Sequence, residues 1–95
     1  MPKFRLSEKA KEDLRRIYEY GVVEFGVTQV DEYFYSFFEA FERISQSPLS
    51  YQSIDHIIIG YGRCPHRCDV IYYRINQDWV DIMAMLGGQD LDAWL

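Results

Sequence analysis

The chain has 95 residues, 48% of them hydrophobic and 17% aromatic, and a net charge of −5. That length fits one domain, and a domain of this size buries roughly 60–65% of the surface its unfolded chain exposes. The apolar content supports a packed core and excludes a disordered chain. The acidic balance argues against tight, non-specific nucleic-acid binding, which needs clustered Lys and Arg, and it points to protein as the dominant class of partner. Charge is unevenly spread: Lys3, Arg5, Lys9, Lys11, Arg15 and Arg16 make the first sixteen residues basic, whereas Arg43 is the one cation of 17–60.

In chain order, Lys3-Phe4-Arg5-Leu6 alternates polar and apolar, as a short strand does. Ser7 fits a helix N-cap, with Glu8 in the first turn where the helix dipole favours an acid. Ala10, Leu14, Ile17, Tyr18, Val22 and Phe25 then recur at helical spacing. Gly26 ends that helix, and Gly21 inside it is either a weak point or a close-packing point. A second helix begins at Thr28 and carries the stripe Val30, Tyr33, Phe34, Phe37, Phe38, Phe41 and Ile44, stopping at Ser47-Pro48. The one-residue link at Val27 makes the pair an antiparallel hairpin.

Residues 49–60 read as a loop, in which Ile57-Ile58-Ile59 is either an extra edge strand or an anchor on the core. Three strands follow, at Tyr61–Pro65, Cys68–Ile75 and Trp79–Leu86, with a turn at Asn76–Asp78. Neither helical stripe is satisfied by the other alone. The predicted fold is α+β: an N-terminal strand and a helical hairpin packed on one face of a three- or four-stranded antiparallel sheet.

No run approaches the ~20 apolar residues of a membrane span. The opening Met-Pro-Lys-Phe-Arg-Leu lacks the apolar region of a secretory signal. The expected compartment is the cytoplasm, with Cys64 and Cys68 as free thiols. Cys64, His66 and Cys68, with His56 and Asp69 nearby, are zinc-ligand types. Their spacing matches no standard site, so neither a metal nor a cofactor is expected. A nucleophilic cysteine beside His66 lacks a visible third partner. Phe34, Phe37, Phe38 and Phe41 read first as core, while Tyr33 and Tyr35 sit at the edge of that stripe. Trp94, in the acidic tail, either anchors docking or folds back on the body.

The segment from Phe4 to Tyr20, with Ser7, Ala10, Asp13-Leu14, Ile17 and Tyr20 in order, resembles the opening of the ParE/RelE toxin superfamily. Asp69-Val70-Ile71-Tyr72-Tyr73-Arg74 is similar to that family's third strand, and Trp79 to Leu86 to its last. The resemblance covers nearly the whole chain and is stronger to the ParE branch. Asp69 and Gly87 stand where many relatives carry His.

The resemblance implies a toxin of a type II toxin–antitoxin module that acts by binding, inhibits DNA gyrase, and is neutralised in a hetero-oligomer by a ParD-like antitoxin wrapped around the hairpin and sheet. On that reading the candidate antitoxin contacts are Arg15, Arg16, Tyr33, Tyr35, Phe38 and Tyr73. The candidate target contacts are Arg63, Arg67, Arg74 and Trp94. One alternative is a RelE-type, ribosome-dependent mRNA endonuclease, which needs cations around the scissile phosphate; Trp79–Leu86 and residues 49–60 supply none. The other is a non-toxic antitoxin-binding module on the same fold.

Overall fold

A computed structural model describes residues 3–87. Strand β1 (Phe4–Leu6) leads into helix α1 (Glu8–Phe25) and helix α2 (Val27–Gln46). A 3-10 turn at Pro48–Ser50 and the two-residue strand β2 (Gln52–Ser53) come next. Strands β3 (Tyr61–His66), β4 (Asp69–Asn76) and β5 (Trp79–Gly87) complete the sheet. The strand order is β1-β5-β4-β3-β2.

The architecture is the expected α+β one, with two additions to the sheet. It has five strands, and β1 joins β5 in parallel, Phe4 opposite Val80 and Leu6 opposite Ile82. The helical hairpin supplies the long crossover that a parallel neighbour requires. The extra edge strand is Gln52–Ser53, not Ile57–Ile59. Ile54 is the buried anchor of that loop, while Ile57 and Ile59 face solvent.

The helix boundaries follow local chemistry. The Ser7 hydroxyl accepts from the Ala10 N–H at 3.0 Å, capping α1, and donates to the Met83 carbonyl at 2.9 Å. Gly26 alone separates the helices. Its φ of +86° is open to glycine and strained for other residues. Its N–H closes α1 on Val22 O, and its carbonyl accepts from Val30 N to open α2. Gly21 is a close-packing point: a Cβ there would lie 2.3 Å from Val30 Cγ2.

Both faces of the sheet carry apolar clusters. Leu14, Ile17, Phe37, Phe41, Ile44, Ile71, Tyr73, Ile82 and Met85 join in the main core between helices and sheet. Ile54, Val70, Tyr72, Ala84 and Leu86 form a second cluster on the far face, with Tyr61 against it. A bulge decides which residue faces where. Tyr72 pairs with Ala84 and Tyr73 with Ile82, leaving Met83 unpaired. Alternation along β5 therefore shifts there, sending Met85 to the main core and Ala84 and Leu86 to the far face.

Beyond Ile82, β5 has no strand on its outer side, and α1 supplies that role with side chains. Asp13, 3% exposed, accepts the Met85 N–H at 3.0 Å. Arg16 donates to the Met85 carbonyl at 3.1 Å. Unpaired strand edges are costly when buried and sticky when exposed, and these contacts close this one.

Candidate functional site

The hairpin tip overhangs the end of the sheet where β3 turns into β4, and an open groove of about 1070 Å³ lies beneath it. Ile17, Gly21 and Val30 form its floor, Tyr20, Phe25 and Tyr33 its aromatic walls, and Arg16, Glu32, Arg67 and Asp69 its charged rim, with Gly87 at the end of β5. Tyr20 is 64% exposed and Phe25 58%, so this aromatic surface is open to a partner. Phe25 falls on the predicted core stripe but is the last residue of α1 and lies largely in solvent.

The β3–β4 turn is fastened to α2. Arg67 sits at φ +55°, with its guanidinium 5.4 Å over the Tyr33 ring. Tyr33 donates its hydroxyl to Asp69 at 2.8 Å. Burial first, then that hydrogen bond, pushes the Tyr33 phenol well above its ordinary range, so it remains a donor.

His66 packs on Phe37 at 4.6 Å between ring centres and lies 2.8 Å from the Ser36 hydroxyl. Ser36 gives its own proton to the Tyr33 carbonyl at 2.5 Å. With the Ser36 proton on that carbonyl, the Nε2–H tautomer of His66 donates to the Ser36 oxygen, and the pair ties the β3–β4 turn to α2. Burial, then Arg67 and Arg43, lowers the His66 pKa below its ordinary value, keeping the imidazole neutral. The two cysteines are free and lie apart, Cys64 in the core and Cys68 on the surface. Among the described residues no group of three or more His, Cys, Asp or Glu side chains is placed to hold a metal ion.

The structure brings Arg16, Tyr33 and Arg67 together in the groove. Arg15 is turned away, paired with Glu12 and, at 2.8 Å, with Glu19. Tyr35 is exposed on α2, and Phe38 is half-buried against Phe34 and Phe41. Tyr73 is a correction to the predicted contact set. It is 1% exposed, its hydroxyl donates to the Pro48 carbonyl at 2.5 Å, and its ring occupies the space a Gly62 side chain would need. Burial pushes its phenol up to about 12. In this position it supports the core and presents no surface.

The three hairpin arginines are not one site. Arg63 and Arg74 are diagonal neighbours on the far face, opposite Tyr72 and Tyr61, while Arg67 belongs to the groove. Arg63 holds a buried Nε that lacks a hydrogen-bond partner. Arg74 bonds Asp81 at 2.9 Å, and Arg5 reaches the same carboxylate at 2.9 Å. Burial opposes ionisation of Asp81, and the bonds from Arg74, Asn76 and Arg5 outweigh it, holding the carboxyl below its ordinary value. Trp94 lies outside the described residues. The groove's apolar members Tyr20, Gly21 and Val30 were not singled out as site residues from the sequence, because they come from two different helices and no spacing along the chain brings them together.

The fold and the groove together define a class: a helical hairpin laid on a mixed five-stranded sheet, with an open apolar groove under the hairpin tip. The family model for the ParE toxin of the type II toxin–antitoxin system parDE matches residues 4–91. Toxin ParE1 of Caulobacter vibrioides is 33% identical over 76 residues, covering 80% of this chain and 79% of that protein. A chain of the chromosomal ParDE toxin–antitoxin system from P. aeruginosa shares the fold, with a TM-score of 0.79 at 17% identity over 92% of this chain and 96% of that one. The chain belongs to the ParE toxin family of type II toxin–antitoxin systems.

Proposed function

We propose that this chain is a toxin that inhibits DNA gyrase by binding and that a ParD-like antitoxin neutralises it by occupying the groove under the hairpin tip. The groove is the observation that carries the antitoxin half of this reading. An amphipathic segment laid into it covers Ile17, Val30, Tyr20 and Phe25, and carboxylates on its border meet Arg16 and Arg67. Family membership supports the gyrase half of the reading, and so does the placement of the chain's cations. A RelE-type nuclease needs several cations around one phosphate, whereas Arg74 is bound to Asp81 and Arg63 and Arg67 lie apart, one on the far face of the sheet and one in the groove.

Expression in cells is the test of toxicity. Induction without antitoxin is expected to arrest growth, and co-expression of the ParD-like partner is expected to restore it. Unimpaired growth without antitoxin would instead identify a non-toxic antitoxin-binding module on this fold.

A further inference from the structure

Of the two cations on the groove rim, one is already engaged. Arg16 bonds the Met85 carbonyl at 3.1 Å and lies 3.6 Å from Asp13. Arg67, in the β3–β4 turn, has neither a hydrogen bond nor an ion pair among the described residues. What holds it is the face of the Tyr33 ring, 5.4 Å from the guanidinium carbon. A guanidinium lying over a ring keeps its N–H groups at its edge. Those donors form a planar fork that fits a carboxylate with two parallel bonds.

Tyr33 does two things for this side chain. Its ring, packed 5.0 Å from Phe37, is a fixed support. Its hydroxyl donates to Asp69 at 2.8 Å. That engages the carboxylate two residues from Arg67 and leaves the guanidinium available. The Arg67 backbone has a φ of +55°, a conformation that suits glycine and costs other residues. Gln77, in the β4–β5 turn, has a φ of +57° but is exposed and lies outside the groove. Positive φ is therefore common to both turns, and what sets Arg67 apart is its stack and its place in the groove. The rim as a whole has no excess of positive charge, because Arg16 and Arg67 are matched by Glu32 and Asp69. Recognition at Arg67 then depends on directed hydrogen bonds at short range, not on long-range attraction.

We infer that Arg67 is the specificity-determining residue of the groove: it takes one carboxylate side chain of the antitoxin segment in a two-pronged bond, with Tyr33 and Asp69 as its positioning residues. This rests on the antitoxin reading of the groove given above. It moves Arg67 from the target surface, where the resemblance put it, to the surface the antitoxin covers. A change at Arg67 then gives a toxin that still acts but that its antitoxin restrains less well.

The test measures antitoxin affinity and unfolding midpoint for wild type, Arg67→Lys, Arg67→Gly and Gln77→Gly. Both Arg67 variants are expected to bind about tenfold more weakly, the scale of losing one charge-assisted hydrogen-bonded pair. Lysine keeps the charge without the planar fork, so its loss separates geometry from charge. Gln77→Gly relaxes the same kind of backbone away from the groove and should stay within about twofold of wild-type affinity. Neither glycine variant should lower the midpoint, because relief at positive φ offsets glycine's greater freedom in the unfolded chain. Tyr33→Phe, which releases Asp69, should weaken binding in wild type but not in Arg67→Gly, since it acts through Arg67. Wild-type affinity in Arg67→Lys overturns the inference, as does an Arg67→Gly whose affinity and stability fall together. Where wild type arrests growth, Arg67→Lys without antitoxin should arrest it too; lost arrest would return Arg67 to the target surface and overturn the assignment. The Tyr20→Asp, Phe25→Asp double variant tells the two failures apart. If it binds like wild type, the groove reading falls and this inference with it. If it binds weakly while Arg67→Lys binds like wild type, the groove stands and only the role of Arg67 is lost.

Discussion

Replacing Tyr20 and Phe25 together by Asp is expected to weaken antitoxin binding roughly a hundredfold, the equivalent of about 3 kcal/mol. Both side chains line the groove and both are mostly exposed in the free chain. Aromatic anchors of this kind typically contribute about 1–3 kcal/mol each when a partner covers them. An aspartate in the same contact puts a charge where the partner would cover an aromatic ring, and burying that charge is costly. Because neither ring belongs to the core cluster, unfolding midpoints should stay close to wild type, as surface substitutions do. Titration calorimetry with the purified antitoxin reads the affinity directly. A change smaller than about threefold would move the antitoxin away from this groove.

Asp13→Ala is expected to cost about 2–4 kcal/mol of folding stability, the range seen when a buried, hydrogen-bonded charge is removed. The buried Asp13 carboxylate receives Met85 N–H at 3.0 Å and Lys9 Nζ at 3.0 Å, with Arg16 at 3.6 Å. Alanine leaves the Met85 N–H buried without a partner, where β1 no longer covers the edge of β5. It also frees Arg16, which shares this contact with the groove rim. Asp13→Asn keeps an acceptor for Met85 and should lose only about half as much, because the backbone bond survives while the charge does not. Urea unfolding at neutral pH separates the two variants. A loss below about 1 kcal/mol for alanine would mean that α1 holds β5 by packing alone.

These expectations draw on features that were unequally visible in the sequence. Ser7 and Gly26 marked the ends of α1 because each does something only a few residue types can do: one caps, the other takes a positive φ. The strands β3, β4 and β5 were also legible, to within a residue or so, from alternation and the turn at Asn76–Asp78. The faces of β5 were not. A bulge at Met83 shifts the alternation, so Val80 and Ile82 share the main core with Met85 while Ala84 and Leu86 point the other way. Tyr73 was misjudged for a related reason: both faces of this sheet are apolar, and two adjacent tyrosines give no sign of which one lies under the helices.

The strand Gln52–Ser53 is two exposed polar residues, too little for any periodic signal. The parallel pairing of β1 was equally hidden, since three residues carry no direction. The groove is the least legible feature, because α1, α2 and the β3–β4 turn meet there and no spacing along the chain records it. Asp13 did leave a signal, an acid on the apolar face of α1 between Ala10 and Leu14, but its purpose became clear only with β5 beside it.

The most direct measurement is a DNA gyrase supercoiling and cleavage assay with the purified chain, run with and without its ParD-like antitoxin. The account predicts inhibition or trapped linear DNA that disappears when antitoxin is added in equimolar amount. Full supercoiling activity in the presence of folded, antitoxin-free chain would contradict it.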